Sequence, residues 1–144
     1  MRLVLDASVA IAATRVFEPF YAPARAQMER ALQGLDTVVV PAFFLVEVAG
    51  ALARQGVAAS DIQAVLDPFT RAPHEVVTIG PRRARAALRV AIACKLRGPD
   101  ALYVWLAERE GIPLSTLDEE ILLRGSARAQ TIRPQLGAPP RQPT

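Results

Sequence analysis

Asp6, Glu47, Asp100 and Asp118 are the residues of this chain whose type and placement suit a reaction. Asp6 closes a short apolar run, Leu3-Val4-Leu5. Glu47 is the only charge between Pro41 and Ala53, and Phe43, Phe44, Leu45, Val46 and Val48 surround it. The positions three and four residues away hold Phe43, Phe44, Gly50 and Ala51, so no basic neighbour pairs with it on a helix. A carboxylate in such a run either faces water or needs a distant counter-charge. A cation shared with other carboxylates supplies one. Mg²⁺ takes oxygen ligands at about 2.0–2.1 Å and keeps several waters. Converged carboxylates without a cation repel one another and titrate high. A bound metal orients a water, lowers its pKa and stabilises charge on a phosphate during in-line displacement.

Other chemistries lack their parts. The single histidine, His74, follows Pro73 and reads as a surface loop residue. A Ser-His or Cys-His mechanism would rest on it alone, and a zinc site normally wants more ligands. Cys94 is the only cysteine, which excludes an internal disulfide; with Ala91, Ile92 and Ala93 beside it, it reads as a small core residue. Lys95, the only lysine, lies outside any P-loop pattern, and no G-x-G-x-x-G occurs.

The elements that must position the acids are legible as alternating strands and helices. Leu3 to Leu5, Thr37 to Val40, Glu75 to Ile79 and Pro113 to Leu117 read as strands, with Gln130 to Ile132 a fifth candidate. Ser8 to Val16 and Pro23 to Gln33 read as helices. Pro41 suits the first position of a helix running to about Gln55, and Ser60 suits the cap of another over Asp61 to Phe69. Two more follow, one from Gly80-Pro81 to Arg97-Gly98 and one from Pro99-Asp100 to Gly111. Asp118 to Arg124 is a short last helix. The alternation implies an α/β fold with a mostly parallel four- to five-stranded sheet covered on both faces. In such sheets the working crevice lies at the carboxyl ends of the strands, where Asp6 and Asp118 stand. A helix packed beside that crevice brings Glu47 or Asp100 to it. Asp6, Asp100 and Asp118 each also suit a plain helix cap, a common use of aspartate.

The acidic positions carry a resemblance. Leu5-Asp6-Ala7-Ser8 resembles the first motif of the PIN-domain family. Pro41 to Val48, with the proline six residues before Glu47, resembles the second. Asp100 to Ala107, an aspartate opening an alanine-containing helix, resembles the third. Pro113 to Asp118, a strand ending in Thr116-Leu117-Asp118, resembles the fourth. Within the superfamily the chain is similar to the VapC-type toxins of toxin–antitoxin pairs, over about residues 2–133.

That resemblance implies a three-layer α/β/α domain acting as a Mg²⁺- or Mn²⁺-dependent endoribonuclease. It implies that Asp6, Glu47, Asp100 and Asp118 bind the metal. It also implies a cognate antitoxin that covers the site, and a homodimer. Ser8 and Thr116 match polar positions where hydroxyls orient a carboxylate or water, although turn and cap chemistry explains them equally well. Glu119 and Glu120 either substitute for Asp118 as ligand or favour the helix amino end through its dipole. Two other readings stand beside the nuclease: a non-cleaving PIN-fold module that holds RNA or a protein, and a phosphatase of the haloacid dehalogenase type. The second wants another aspartate two residues after Asp6, where this chain has Ser8.

Charge fits the first reading. The net charge is +3 over 144 residues, so setting aside the four acids leaves +7 on the rest. An acidic pocket on a basic body suits a polyanion cut at a metal. An Arg-rich composition, with Lys95 the only lysine, is the alternative source of that charge. Arg82, Arg85 and Arg89 share one helical face, opposite Ala84, Leu88 and Ala91; it reads as a solvated face or an RNA track. Tyr103, Trp105, Phe43 and Phe44 read as core or contact residues. Asp6 interrupts the apolar start, which argues against a signal peptide, and no window is long enough to span a membrane. A cytoplasmic protein is expected. Residues 1–133 form the expected domain, and the proline-rich 134–144 an expected disordered tail.

Overall fold

A computed structural model describes residues 1–136. A five-stranded, all-parallel sheet runs through it in the order β3-β2-β1-β4-β5, formed by β1 (Arg2–Leu5), β2 (Thr37–Pro41), β3 (Glu75–Val77), β4 (Leu114–Ser115) and β5 (Thr131–Ile132). The helices are α1 (Ala7–Ala12), α2 (Tyr21–Leu32), α3 (Phe43–Arg54), α4 (Ala59–Leu66), α5 (Pro81–Cys94), α6 (Gly98–Glu110) and α7 (Glu119–Arg124). The expected three-layer α/β fold is the one observed, and the candidate fifth strand completes the sheet.

The apolar runs explain the layout. Leu3, Val4 and Leu5 are fully buried, as are Val39, Val40 and Leu114, so the central strands are covered on both faces. β1 pairs with β2 on one side, Val4 opposite Val39, and with β4 on the other, Val4 opposite Leu114. The chain therefore leaves β1 toward β2 and β3, then returns to lay β4 and β5 on the opposite side. That reversal opens a crevice at the carboxyl ends of β1 and β4.

Several local expectations are corrected. Pro41 ends β2, in register with Val77 of β3, instead of opening a helix. Ser60 lies inside the first turn of α4; Ala58 is the cap residue, and no side chain caps there. The helix expected to reach Phe69 stops at Leu66 and continues as a 3-10 turn over Asp67–Thr70, where Pro68 has no N–H to extend the α-helical ladder. His74 is buried rather than on the surface: its Nδ1 accepts the Val38 N–H at 3.0 Å and its ring meets Phe69 at 5.4 Å. On α5 the buried face is Ala87, Val90 and Cys94, while Ala84 and Leu88 are exposed. Cys94, Tyr103, Trp105 and Phe44 are buried in the core as expected. Of the expected tail, Pro134 is buried and Gln135 and Leu136 are exposed; residues 137–144 lie outside the described part.

Candidate metal centre

Asp6 anchors the crevice. It follows β1, and its backbone N–H donates to Ser115 O of β4 at 3.0 Å, so the sheet fixes its main chain. It precedes α1 but makes no side-chain cap. Its Oδ2 instead accepts the hydroxyls of Ser8 and Thr116, each at 2.6 Å. Ser8 Oγ in turn accepts the Leu117 N–H at 3.0 Å, and Thr116 Oγ1 accepts the Asp118 N–H at 3.0 Å. Both hydroxyls are thereby oriented, and Oδ1 makes no hydrogen bond among the described residues. No cation lies within ion-pair distance of Asp6 among the described residues. Burial, opposed by the two hydroxyls and reinforced by Asp100 and Asp118, pushes its pKa up.

Glu47 sits in the middle of α3, half-buried. Its Oε2 accepts the hydroxyl of Tyr103, on α6, at 2.9 Å. The same hydroxyl accepts the Ala7 N–H at 3.3 Å. Tyr103 thus pins Glu47 to the start of α1, beside Asp6. Burial pushes Glu47 up, with Asp6 and Asp100 adding to the rise. Burial and two flanking acids push the Tyr103 hydroxyl up as well, so it remains a donor.

Asp100 lies in the first turn of α6, buried, and does not cap the helix. Burial raises its pKa, and Asp118 raises it further. Asp118 does cap: it precedes α7, and its carboxylate accepts the Ile121 N–H at 3.0 Å. Arg97 links these two acids, with Nε 3.3 Å from Asp100 Oδ2 and a terminal nitrogen 3.9 Å from Asp118 Oδ2. Tyr103 and Arg97 were not legible as site residues. Tyr103 sits 56 positions from Glu47; Arg97 stands three residues before Asp100, a spacing that could have prompted the pairing, but its contact with Asp118 is made only by the fold.

The fold therefore sets Ser8 and Thr116 on Asp6, ties Glu47 beside it through Tyr103, and joins Asp100 to Asp118 through Arg97, near enough for both to raise the pKa of Asp6. Glu119 and Glu120 are exposed and engaged by Arg133 at 2.6 Å and Arg124 at 3.4 Å. Arg82, Arg85 and Arg89 are exposed on α5, and none pairs with the four acids among the described residues.

The donor set suits a hard cation, being all oxygen with an oriented, cation-free carboxylate at its centre. Among the described residues, however, no three His, Cys, Asp or Glu side chains converge closely enough to hold an ion in this arrangement. Bare carboxylates keep their distance from one another, and Mg²⁺ bound through its own waters needs only one or two direct carboxylate ligands.

The family model for the PIN domain matches residues 3–125. The chain belongs to the PIN domain family. Among solved structures it is similar to PAE2754 from Pyrobaculum aerophilum, with 24% identity and a TM-score of 0.63 over 91% of this chain and 89% of that one. VapBC2 from Rickettsia felis, bound to a DNA fragment from its promoter, gives 14% identity and a TM-score of 0.65 over 92% and 98%. FitAcB from Neisseria gonorrhoeae gives 13% identity and a TM-score of 0.63 over 92% and 97%. At these identities the likeness is one of fold. No curated protein sequence matches. Among the described residues no helix is long and apolar enough to cross a membrane.

Proposed function

We propose that this PIN-domain protein is a Mg²⁺- or Mn²⁺-dependent endoribonuclease acting as the toxin of a toxin–antitoxin pair. The observation that carries the reading is Asp6, a buried carboxylate with two hydroxyl donors, no cation among the described residues, and Asp100 and Asp118 near enough to raise its pKa further. PIN domains are generally nucleases, and the site has no histidine or cysteine to serve as base.

Asp6, Glu47, Asp100 and Asp118 would hold a divalent ion, directly or through its waters, and that ion would supply an activated water and charge stabilisation at the scissile phosphate. The chain's own groups do the rest. Ser8 and Thr116 fix the rotamer of Asp6, leaving Oδ1 for the ligand. Tyr103 holds Glu47 toward the same point. Thr116 couples Asp6 to the main chain of Asp118, so the two acids are set by one strand end. Arg82, Arg85 and Arg89 offer phosphate contacts along α5. A cytoplasmic homodimer built from residues 1–133, restrained by a cognate antitoxin, completes the reading; the fold likeness to VapBC2 and FitAcB supports the antitoxin.

Purified protein freed of any partner should cut a structured RNA with Mg²⁺ or Mn²⁺ and stop in EDTA. Cutting that survives the chelator defeats the metal mechanism. A second reading, a PIN-fold module that binds RNA or protein without cutting, draws on the open spacing of the acids. RNA binding without cleavage at any metal concentration would establish it. Expression alone should slow growth, and co-expression of a neighbouring small DNA-binding protein should restore it.

A further inference from the structure

We infer that Arg97 is a built-in counter-cation of the acidic crevice, displaced by the incoming metal and then free to take a phosphate of the RNA. The inference rests on the metal-nuclease reading above. Arg97 is the only basic side chain within ion-pair distance of any of the four acids among the described residues, and it reaches two of them with different nitrogens. A guanidinium presents several donors in a rigid fork, which suits such bridging.

The backbone around Arg97 is anchored while its side chain is exposed. Leu96 just before it is buried, at 7% exposure. Arg97 itself caps α6 with its backbone, its carbonyl accepting the Ala101 N–H at 2.9 Å. The side chain is 79% exposed, so its two ion pairs are solvent-screened and cheap to break. A divalent cation carries twice its charge and binds the same carboxylate oxygens directly. Once displaced, the guanidinium remains exposed beside Asp100 and Asp118. A phosphate there receives a charge-assisted, bidentate contact. Arg97 is then a substrate-positioning residue that also offsets the repulsion between Asp100 and Asp118 in the empty site.

The test compares the parent with Arg97→Gln and Arg97→Lys in three measurements. The first is Mg²⁺ alone, read as the midpoint of the metal-induced rise in melting temperature. Loss of the competing cation should tighten Mg²⁺ binding in Arg97→Gln by up to about fivefold at low ionic strength. The second is the salt dependence of binding to a short single-stranded RNA in Ca²⁺, whose slope should fall by about 0.7, one phosphate contact. The third is cleavage, where KM should rise with kcat little changed. Arg97→Lys should keep the salt slope while losing the bridging geometry. Unchanged Mg²⁺ binding in Arg97→Gln overturns the counter-cation role, and an unchanged salt slope overturns the phosphate role. A parent with no Mg²⁺-induced rise and no cleavage overturns the nuclease reading itself, which separates that failure from the failure of Arg97.

Discussion

Two buried aspartates sit at opposite ends of the same parallel sheet. Asp36 precedes β2 and is 1% exposed; Asp6 follows β1 and is 4% exposed. Asp36 is fully compensated. Arg30 grips it in a fork, Nε to one oxygen and a terminal nitrogen to the other at 2.9 Å each, and the Met1 ammonium adds a contact at 2.8 Å. Burial pushes Asp36 upward, but these cations outweigh it and hold its pKa below the ordinary range. Asp6 has hydroxyls in place of cations, and burial wins. The fold therefore solves the buried-carboxylate problem at one end and leaves it open at the other. An open problem of this kind, costly to stability and near further acids, is what the proposed metal site would resolve.

The largest effect should separate the two by activity. Asp6→Asn should lower cleavage by more than about 100-fold, beyond the 10–100-fold expected of groups that only orient a ligand. Asp36→Asn should leave cleavage intact. Stability should move the other way. Asp36→Ala should cost about 2–3 kcal/mol, because it removes charged hydrogen bonds. In a domain of this size that lowers the melting temperature by roughly 5–10 °C. Asp6→Asn, which removes a repelled charge, should leave the metal-free protein equally or more stable. Calorimetry on both variants reads this directly, and a large destabilisation in Asp6→Asn would reduce Asp6 to a structural residue.

The strands and their parallel pairing were legible because each leaves a local mark, a β-branched or aliphatic run between helices. The four acids stood out as an aspartate at a strand end or helix start, or a lone charge in an apolar helix, and their role rests on the proposal. What escaped were contacts that only tertiary packing creates. His74 looked like a loop residue because nothing near it in sequence reveals that its Nδ1 meets the Val38 N–H, 36 positions away. Pro41 fits both a helix start and a strand end, and the choice was made by β3, with which it pairs. Tyr103 was readable as core but not as the group that orients Glu47. The cap alternative for the acids also needed coordinates: it holds for Asp118 and fails for Asp6 and Asp100.

The pH dependence sharpens the comparison between the two ends. Asp36, with its lowered pKa, stabilises the protein above the unfolded value of about 4, and that contribution is lost as pH falls through the folded value. Asp6, Glu47 and Asp100, with raised pKa values, act in reverse. Their folded state holds protons that the unfolded state has released, so metal-free stability is lost as pH rises from about 4 through the raised values. The gain in melting temperature of Asp6→Asn over the parent should therefore be near zero at about pH 4 and grow toward neutrality. The Asp36→Ala deficit should stay constant above about pH 4 and shrink below it. With Mg²⁺ the parent's slope should flatten, since metal binds the deprotonated site and its stabilisation grows with pH. A gain for Asp6→Asn that is independent of pH would mean that its charge is not the source.

The smallest effect should come from Asp118, the acid that resembles Asp36 most closely in having a structural occupation. Its carboxylate caps α7 through the Ile121 N–H, and asparagine caps about as well as aspartate. Its own N–H donates to Thr116 Oγ1, a contact that the substitution preserves. Asp118→Asn should thus change metal-free stability by less than about 0.5 kcal/mol. At tenfold excess over its dissociation constant, Mg²⁺ should stabilise the parent by about 1.4 kcal/mol, a rise of roughly 2–5 °C. Asp118→Asn should keep more of that rise than Asp6→Asn, Glu47→Gln or Asp100→Asn. A retained rise has two explanations, an unneeded ligand or a substitute from the next two residues. Glu119 and Glu120 are exposed and already paired with Arg133 and Arg124. The double variant Asp118→Asn/Glu119→Gln should therefore melt with and without Mg²⁺ as Asp118→Asn does. A rise lost only in the double variant would show that Glu119 leaves Arg133 to become the ligand.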